Sequence, residues 1–208
     1  MPNGPSPRET LSGLADQHER SAKTRPTARA TLRAATDDVH ERMHAHPGYR
    51  ALASGGIQAD DYRRLLARSY GFYLPIEIEL TRGRDRSRRL ETDLLALGMT
   101  PEGIEALPFC TALSPLDSHP KALGAAYVVE GAALGGLTLA RALLRNSAGV
   151  APPAAFLLGD GENGGRRWQS FIAELEEDLS DMVELEAAVQ SARDTFETFE
   201  TWMGAWDR

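Results

Sequence analysis

Apolar residues in this chain recur at three- and four-residue steps over long stretches, and no stretch alternates with a period of two. A chain patterned this way buries its apolar side chains as helix stripes, not as sheet faces. Alanine, leucine, glutamate and arginine dominate, and β-branched residues are sparse. TARATLRAATDDVHERMHAHP carries Leu32, Ala35, Val39 and Met43 at helical steps, and Pro47 with Gly48 is its expected stop. A helix over 59–82 opens on Asp60 and Asp61 and sets Tyr62, Leu65, Leu66, Ser69, Phe72, Tyr73 and Ile76 on one side. Pro75 predicts a kink near Gly71. Further helices are expected over 85–97, ending at Gly98, over 166–179 and over 181–206. Short helical turns are expected at 101–106 and 156–158, and GDGENGG reads as a glycine-rich loop. Ser118 and Pro120 open one more long helix after a proline-punctuated loop. The expected fold is all-α, a single bundle of seven or eight helices over 26–208 behind a mobile arm at 1–25.

The remaining bulk features narrow the function. The net charge of −7 speaks against a general nucleic-acid partner. The single cysteine, Cys110, excludes a disulfide framework and a thiolate metal site within one chain. No apolar run approaches the roughly 18 residues of a membrane span, and no secretory signal is evident. The expectation is therefore a cytoplasmic protein without a membrane partner. The run RGRDRSRR over 82–89 reads either as a solvated helix start or as a docking surface for an acidic partner.

The long helix contains YVVEGAALGGLTLARALLR, with Gly131, Gly135 and Gly136 in its interior. Each interior glycine costs a helix roughly 1 kcal/mol relative to alanine. Gly131 and Gly135 lie one turn apart and make a groove. Such a groove admits either a closely packed helix or a flat ligand lying against bare backbone.

The first helix holds His40, His44 and His46, the first two on one face, with Arg33 two turns before His40. His40 follows the inward position Val39 and stacks after Thr36, so it is expected to point partly inward. One reading is a satisfied interfacial histidine. A second is a zinc pair of His40 and His44, with Asp37 near; zinc normally takes a third protein ligand. Beside the glycine groove a third reading arises. A planar macrocycle with a central metal needs one axial imidazole, here His40, and one uncrowded face, here the glycines. Arg33 and the pair Arg166 and Arg167 are then candidate partners for its carboxylates.

LRAATDDVH, from Leu32 to His40, resembles the proximal-helix motif of haem oxygenases, and EGAALGG, from Glu130 to Gly136, resembles their distal-helix motif. LGAA before YVVEGAALGG, with the later GDGENGGRRWQSF carrying Trp168 and Phe171, is most similar to the bacterial biliverdin-forming branch that often accompanies bacteriophytochromes. The resemblance runs over 27–206. It implies a haem-oxygenase-like helical fold, with haem b as both cofactor and substrate. Haem would be opened at a meso carbon with O2 and external electrons to biliverdin, iron and carbon monoxide. His40 would be the proximal iron ligand, and Arg33 a propionate partner. Gly131 and Gly135 would be the distal glycines, with Tyr127, Arg166 and Arg167 in haem-contact regions. The electrons would come from a ferredoxin or a flavoprotein reductase, since no flavin or dinucleotide fingerprint is present, and a bacteriophytochrome is a candidate recipient of the product. The chain departs from the family pattern at three places. Ala132 stands where some members have an aspartate, His44 where a carboxylate commonly follows the proximal histidine, and Leu137 at a commonly polar position.

Three other readings stay open. One is a haem- or tetrapyrrole-binding protein without turnover. Another is a non-haem diiron site using Glu77, Glu79 and Glu130. The last is a helical interaction domain whose tail, with Phe196, Phe199 and Trp202, either docks a partner or faces the core.

Overall fold

The structure is a computed structural model, and it describes residues 26–81, 85–145 and 151–205. The expected arm at 1–25 and part of the connector after Arg145 lie outside the described residues. The helices, in order, are α1 (Ala28–Ala45), α2 (Pro47–Ala53), α3 (Ala59–Leu80), α4 (Asp85–Ala96) and α5 (Pro101–Glu105). They continue with α6 (His119–Arg145), α7 (Ala155–Leu158), a 3-10 turn (Gly161–Asn163), α8 (Gly164–Asp178) and α9 (Met182–Met203). Strands are absent among the described residues, and the all-α expectation holds.

Both prolines are accommodated by the helices around them. Pro47 does stop α1, but it also opens α2, because proline suits the first helical position, where no intrahelical N–H bond is owed. Pro75 does not interrupt α3, which runs unbroken from Ala59 to Leu80. Proline leaves the carbonyl four residues earlier without its helical donor, and that carbonyl belongs to Gly71. The backbone N–H of Cys110 donates to it at 2.9 Å. Gly71 is glycine because the loop passes so close: an added Cβ would lie 2.3 Å from the Pro108 carbonyl oxygen.

The spine of the bundle is the pair α6 and α9. A Cβ on Gly124 would lie 2.1 Å from the Ala188 carbonyl oxygen, so the two backbones nearly touch there. Phe199 is buried on α9 while Phe196 and Trp202 are partly buried, so that aromatic stripe faces inward. A core of leucines and aromatics, including Leu32, Leu52, Leu65, Phe72, Ile76 and Leu90, fills the space between helices.

Buried carboxylates serve as helix caps. Glu77 accepts from the Arg86 and Ser87 N–H groups (2.9 and 3.0 Å) at the start of α4. Asp93 accepts from Ala155 and Phe156 (2.8 and 2.9 Å) at the start of α7. Burial pushes the Asp93 carboxyl above its usual range, and the two backbone N–H groups oppose the shift. With Glu77 engaged in this way and Glu130 paired to Arg167, the diiron reading loses two of its three carboxylates.

α1 is tied down along its length. Glu176 on α8 accepts from the Ala28 and Arg29 N–H groups at 2.8 and 2.9 Å. Arg193 on α9 donates to the Ala35 carbonyl at 2.9 Å, and Arg42 pairs with both oxygens of Glu200 at 2.6 and 2.8 Å. Glu176→Ala is expected to cost about 1–2 kcal/mol, the range for a lost helix cap. Urea unfolding of the variant against the parent checks this.

The apolar α6 departs from one expectation. By length and composition it could cross a membrane, with a mean hydropathy of 1.4 over its best window. One third of that window is buried, where α6 packs against α9, α7 and α8.

Candidate functional site

Gly124, Gly131, Gly135, Thr138 and Ala142 fall along one line of α6. The line is buried at both ends, at Gly124 and Ala142, and opens in the middle, where Gly131 is half-buried and Gly135 and Thr138 are exposed. The three interior glycines of the sequence therefore separate into different roles. Gly136 faces the bundle, where a Cβ would lie 2.7 Å from the Leu157 carbonyl oxygen; it is glycine so that α7 can approach. Gly131 would place a Cβ 3.6 Å from the Trp168 ring, an ordinary contact. Gly135 would meet nothing within 4 Å. The packing of the described residues gives no reason for glycine at 135.

The opposite wall is α1. α9 packs on both α1 and α6, which make no comparable contact with each other. Tyr127 on α6 and Thr36 on α1 meet across the gap, with Arg33 and Arg29 close enough to act on the phenol. Burial raises the Tyr127 hydroxyl above its usual range, and Arg33, Arg29 and Thr36 moderate the shift. His40 follows Thr36 by one turn of α1, and Gly131 follows Tyr127 by one turn of α6.

His40 is more exposed than its sequence position predicts: 53% of its side chain is accessible. Thr36, Val39 and Met43 take the inward positions of α1, and His40 lies about 100° round the helix from Val39. Its ring has two aromatic neighbours. His44 meets it edge to face with centroids 4.5 Å apart, and Phe196 of α9 lies at 6.4 Å. The imidazole is accessible and stands where α1 meets α9.

Trp168, on α8, covers the start of the open stretch of α6. Its indole lies against Gly131 and 5.6 Å from the Tyr127 ring. Its Nε1 is buried and has no hydrogen-bond partner among the described residues. An unmet buried donor costs about 1–3 kcal/mol, so such an atom at the edge of a slot suits an acceptor on a ligand or an ordered water.

The arginine pair behaves differently from the expectation. Arg167 is committed to three carboxylates, Glu130 at 2.8 Å, Asp85 at 2.8 Å and Asp160 at 3.4 Å. Arg166 pairs with Asn163. Arg167 thus joins α4, α6 and α8 behind the slot, and its guanidinium is already satisfied. Arg89, first, and Arg167 hold the Asp160 carboxyl below the usual range. A depressed folded value adds stability above the unfolded value of 3.8, and that stability is lost as pH falls through the folded value. Arg167→Ala is expected to lower stability at neutral pH by about 1 kcal/mol, given the exposure of the cluster, with the gap to the parent closing in acid. Melting curves at pH 7 and pH 3 check this.

Arg33 and Thr36 thus lie near Tyr127, Trp168 lies beside Tyr127 and Gly131, Gly135 is exposed one turn further along α6, His40 stands beside His44 and Phe196, and Arg167 is drawn away. Sequence reasoning gave no role to Thr36 as the partner of Tyr127, or to Phe196 as the neighbour of His40. It quoted Trp168 only as part of a motif. All three sit at helical steps that also suit a plain core, and only the packing of α8 and α9 distinguishes them.

A planar tetrapyrrole needs an accessible axial donor, one uncrowded wall and polar groups at its edge, and the residues present fit it. The family model described as "Heme oxygenase" matches residues 27–205. A protein named "Heme oxygenase" from Xanthomonas campestris pv. campestris (strain 8004) is 30% identical over 168 residues, covering 75% of this chain and 96% of that one. The chain belongs to the haem oxygenase family. Its fold is similar to that of a heme oxygenase from Leptospira interrogans, with a TM-score of 0.71 at 18% identity over 85% of this chain and 98% of the other. It is similar also to heme oxygenase-1 from the cyanobacterium Synechocystis sp. PCC6803, solved in complex with heme (TM-score 0.68, 17% identity, 88% of this chain and 93% of the other).

Proposed function

We propose that this chain is a haem oxygenase that binds haem in the slot between α1 and α6 and opens it to biliverdin, iron and carbon monoxide. The observation that carries the reading is Gly135: an interior helical glycine, exposed, with nothing around its missing Cβ, on the one open stretch of α6. Haem, when bound, supplies the iron at which O2 is reduced and the ring that is cleaved.

The chain's own residues hold and shape. His40 offers its imidazole to the iron. Arg33, exposed beside Tyr127, faces a propionate; it takes this role in place of Arg167, which its three carboxylates occupy. Gly131 and Gly135 contribute no side chains to the opposite wall, which would leave room there for O2 beside the ring. Tyr127 offers a hydroxyl beside Arg33 and Thr36, and burial raises its pKa further above the usual phenol range. With Ala132 rather than an acid on this stretch, protons reach the slot through ordered water and hydroxyl groups. His44, edge to face with His40, stands where a carboxylate would otherwise orient the imidazole.

Electrons come from a separate ferredoxin or flavoprotein reductase in this reading, and the product passes to a bacteriophytochrome in the same cytoplasm. The motif resemblance over 127–136 and 159–171 supports that branch.

The test is a single-turnover assay with hemin, O2 and a reductant. Biliverdin absorption and carbon monoxide release are the expected result. A stable Soret band that outlasts reductant and oxygen would instead assign the chain as a haem-binding protein without turnover.

A further inference from the structure

Residues 40–44 read His-Glu-Arg-Met-His. Two histidines one helical turn apart, with glutamate directly after the first, is the spacing by which a single helix presents two imidazoles to a zinc ion. Sequence alone supplies only the pair. In α1 a third donor joins them: the ligand-type atoms of His40, Glu41 and His44 all lie within 4.8 Å of one another. The two rings stand 87° apart, and His40 Nδ1 is 3.8 Å from Glu41 Oε1. Zinc binds nitrogen at about 2.0–2.1 Å and carboxylate oxygen at about 2.0–2.2 Å, so two donors on one ion sit on the order of 3–4 Å apart. The His40–Glu41 separation of 3.8 Å already falls in that range. All three side chains are exposed, which leaves a path for the ion. The chain's charge of −7 favours a cation.

We infer that the chain binds one divalent first-row transition ion, with zinc as the test case, through His40, His44 and Glu41, water completing the coordination. One consequence rests on the function proposed above. Because His40 is also the iron ligand there, zinc and haem exclude one another, and free zinc restrains haem loading.

The experiment is calorimetric titration of the full chain with zinc chloride, followed by hemin titration with and without one equivalent of zinc. Zinc should bind at one per chain. His44→Ala should abolish that isotherm, and Glu41→Ala should weaken it on the order of tenfold, both with unchanged circular dichroism. With zinc present, the Soret titration of the parent should move to higher hemin concentration and return on adding EDTA. An isotherm unchanged in His44→Ala would overturn the site. An isotherm that vanishes in both His44→Ala and His40→Ala, beside a hemin titration indifferent to zinc, would overturn the exclusion and remove His40 from the iron, while leaving the zinc site in place.

Discussion

Gly135→Ala should make this protein more stable and a worse enzyme. Alanine in a helix interior is favoured over glycine by roughly 0.5–1 kcal/mol, and nothing lies within 4 Å of the added methyl to oppose it. For a chain of this length the melting temperature should rise by about 1–4 °C. The same methyl projects into the slot proposed for haem. A displacement of about 1 Å from reacting geometry can cost on the order of a hundredfold in rate, and a loss of that order is expected in biliverdin formation. The neighbouring glycines give the contrast. At Gly136 the methyl would meet the Leu157 carbonyl at 2.7 Å, and alanine should cost about 1–3 kcal/mol. At Gly124 it would meet the Ala188 carbonyl at 2.1 Å, backbone against backbone, and the cost should reach about 3 kcal/mol or more. Thermal melts and single-turnover assays on the three variants separate the glycine reserved for a ligand from the two required by packing. A destabilised Gly135→Ala, or one with full activity, would contradict that separation.

His40→Ala should abolish turnover while leaving the fold intact. The side chain is 53% exposed and lies beside Glu41, His44 and Phe196, so truncation opens no cavity in the core. Stability should change by less than about 0.5 kcal/mol, the range for exposed positions. The hemin spectrum should lose its imidazole-ligated form, and millimolar imidazole should restore part of it by entering the vacated space. A spectrum unchanged from the parent would remove His40 from the iron.

The helical bundle was legible because its inward positions are the ones the period selects. Leu32, Val39 and Met43 on α1, and Tyr62, Leu65, Phe72 and Ile76 on α3, are all buried at their expected steps. The caps and corners were less legible. Pro47 is equally a stop and a start, and Pro75 is tolerated because a distant N–H, that of Cys110, takes up the freed carbonyl. Within the site, residues on one helix could be related to one another, as His40 to Arg33 and Gly131 to Gly135. Relations between helices could not. Three glycines that look alike in EGAALGG differ only by what lies beside them. Arg167 reads as a free cation until Asp85, Glu130 and Asp160, from three separate segments, converge on it. The exposure of His40 follows from a rotation of about 100° that the neighbouring Val39 imposes.

A crystal structure of the hemin complex tests the account most directly. It should place the iron on the His40 imidazole, with the porphyrin lying along Gly131 and Gly135. Iron held by His44 or His46, or a porphyrin bound away from the open stretch of α6, would contradict it.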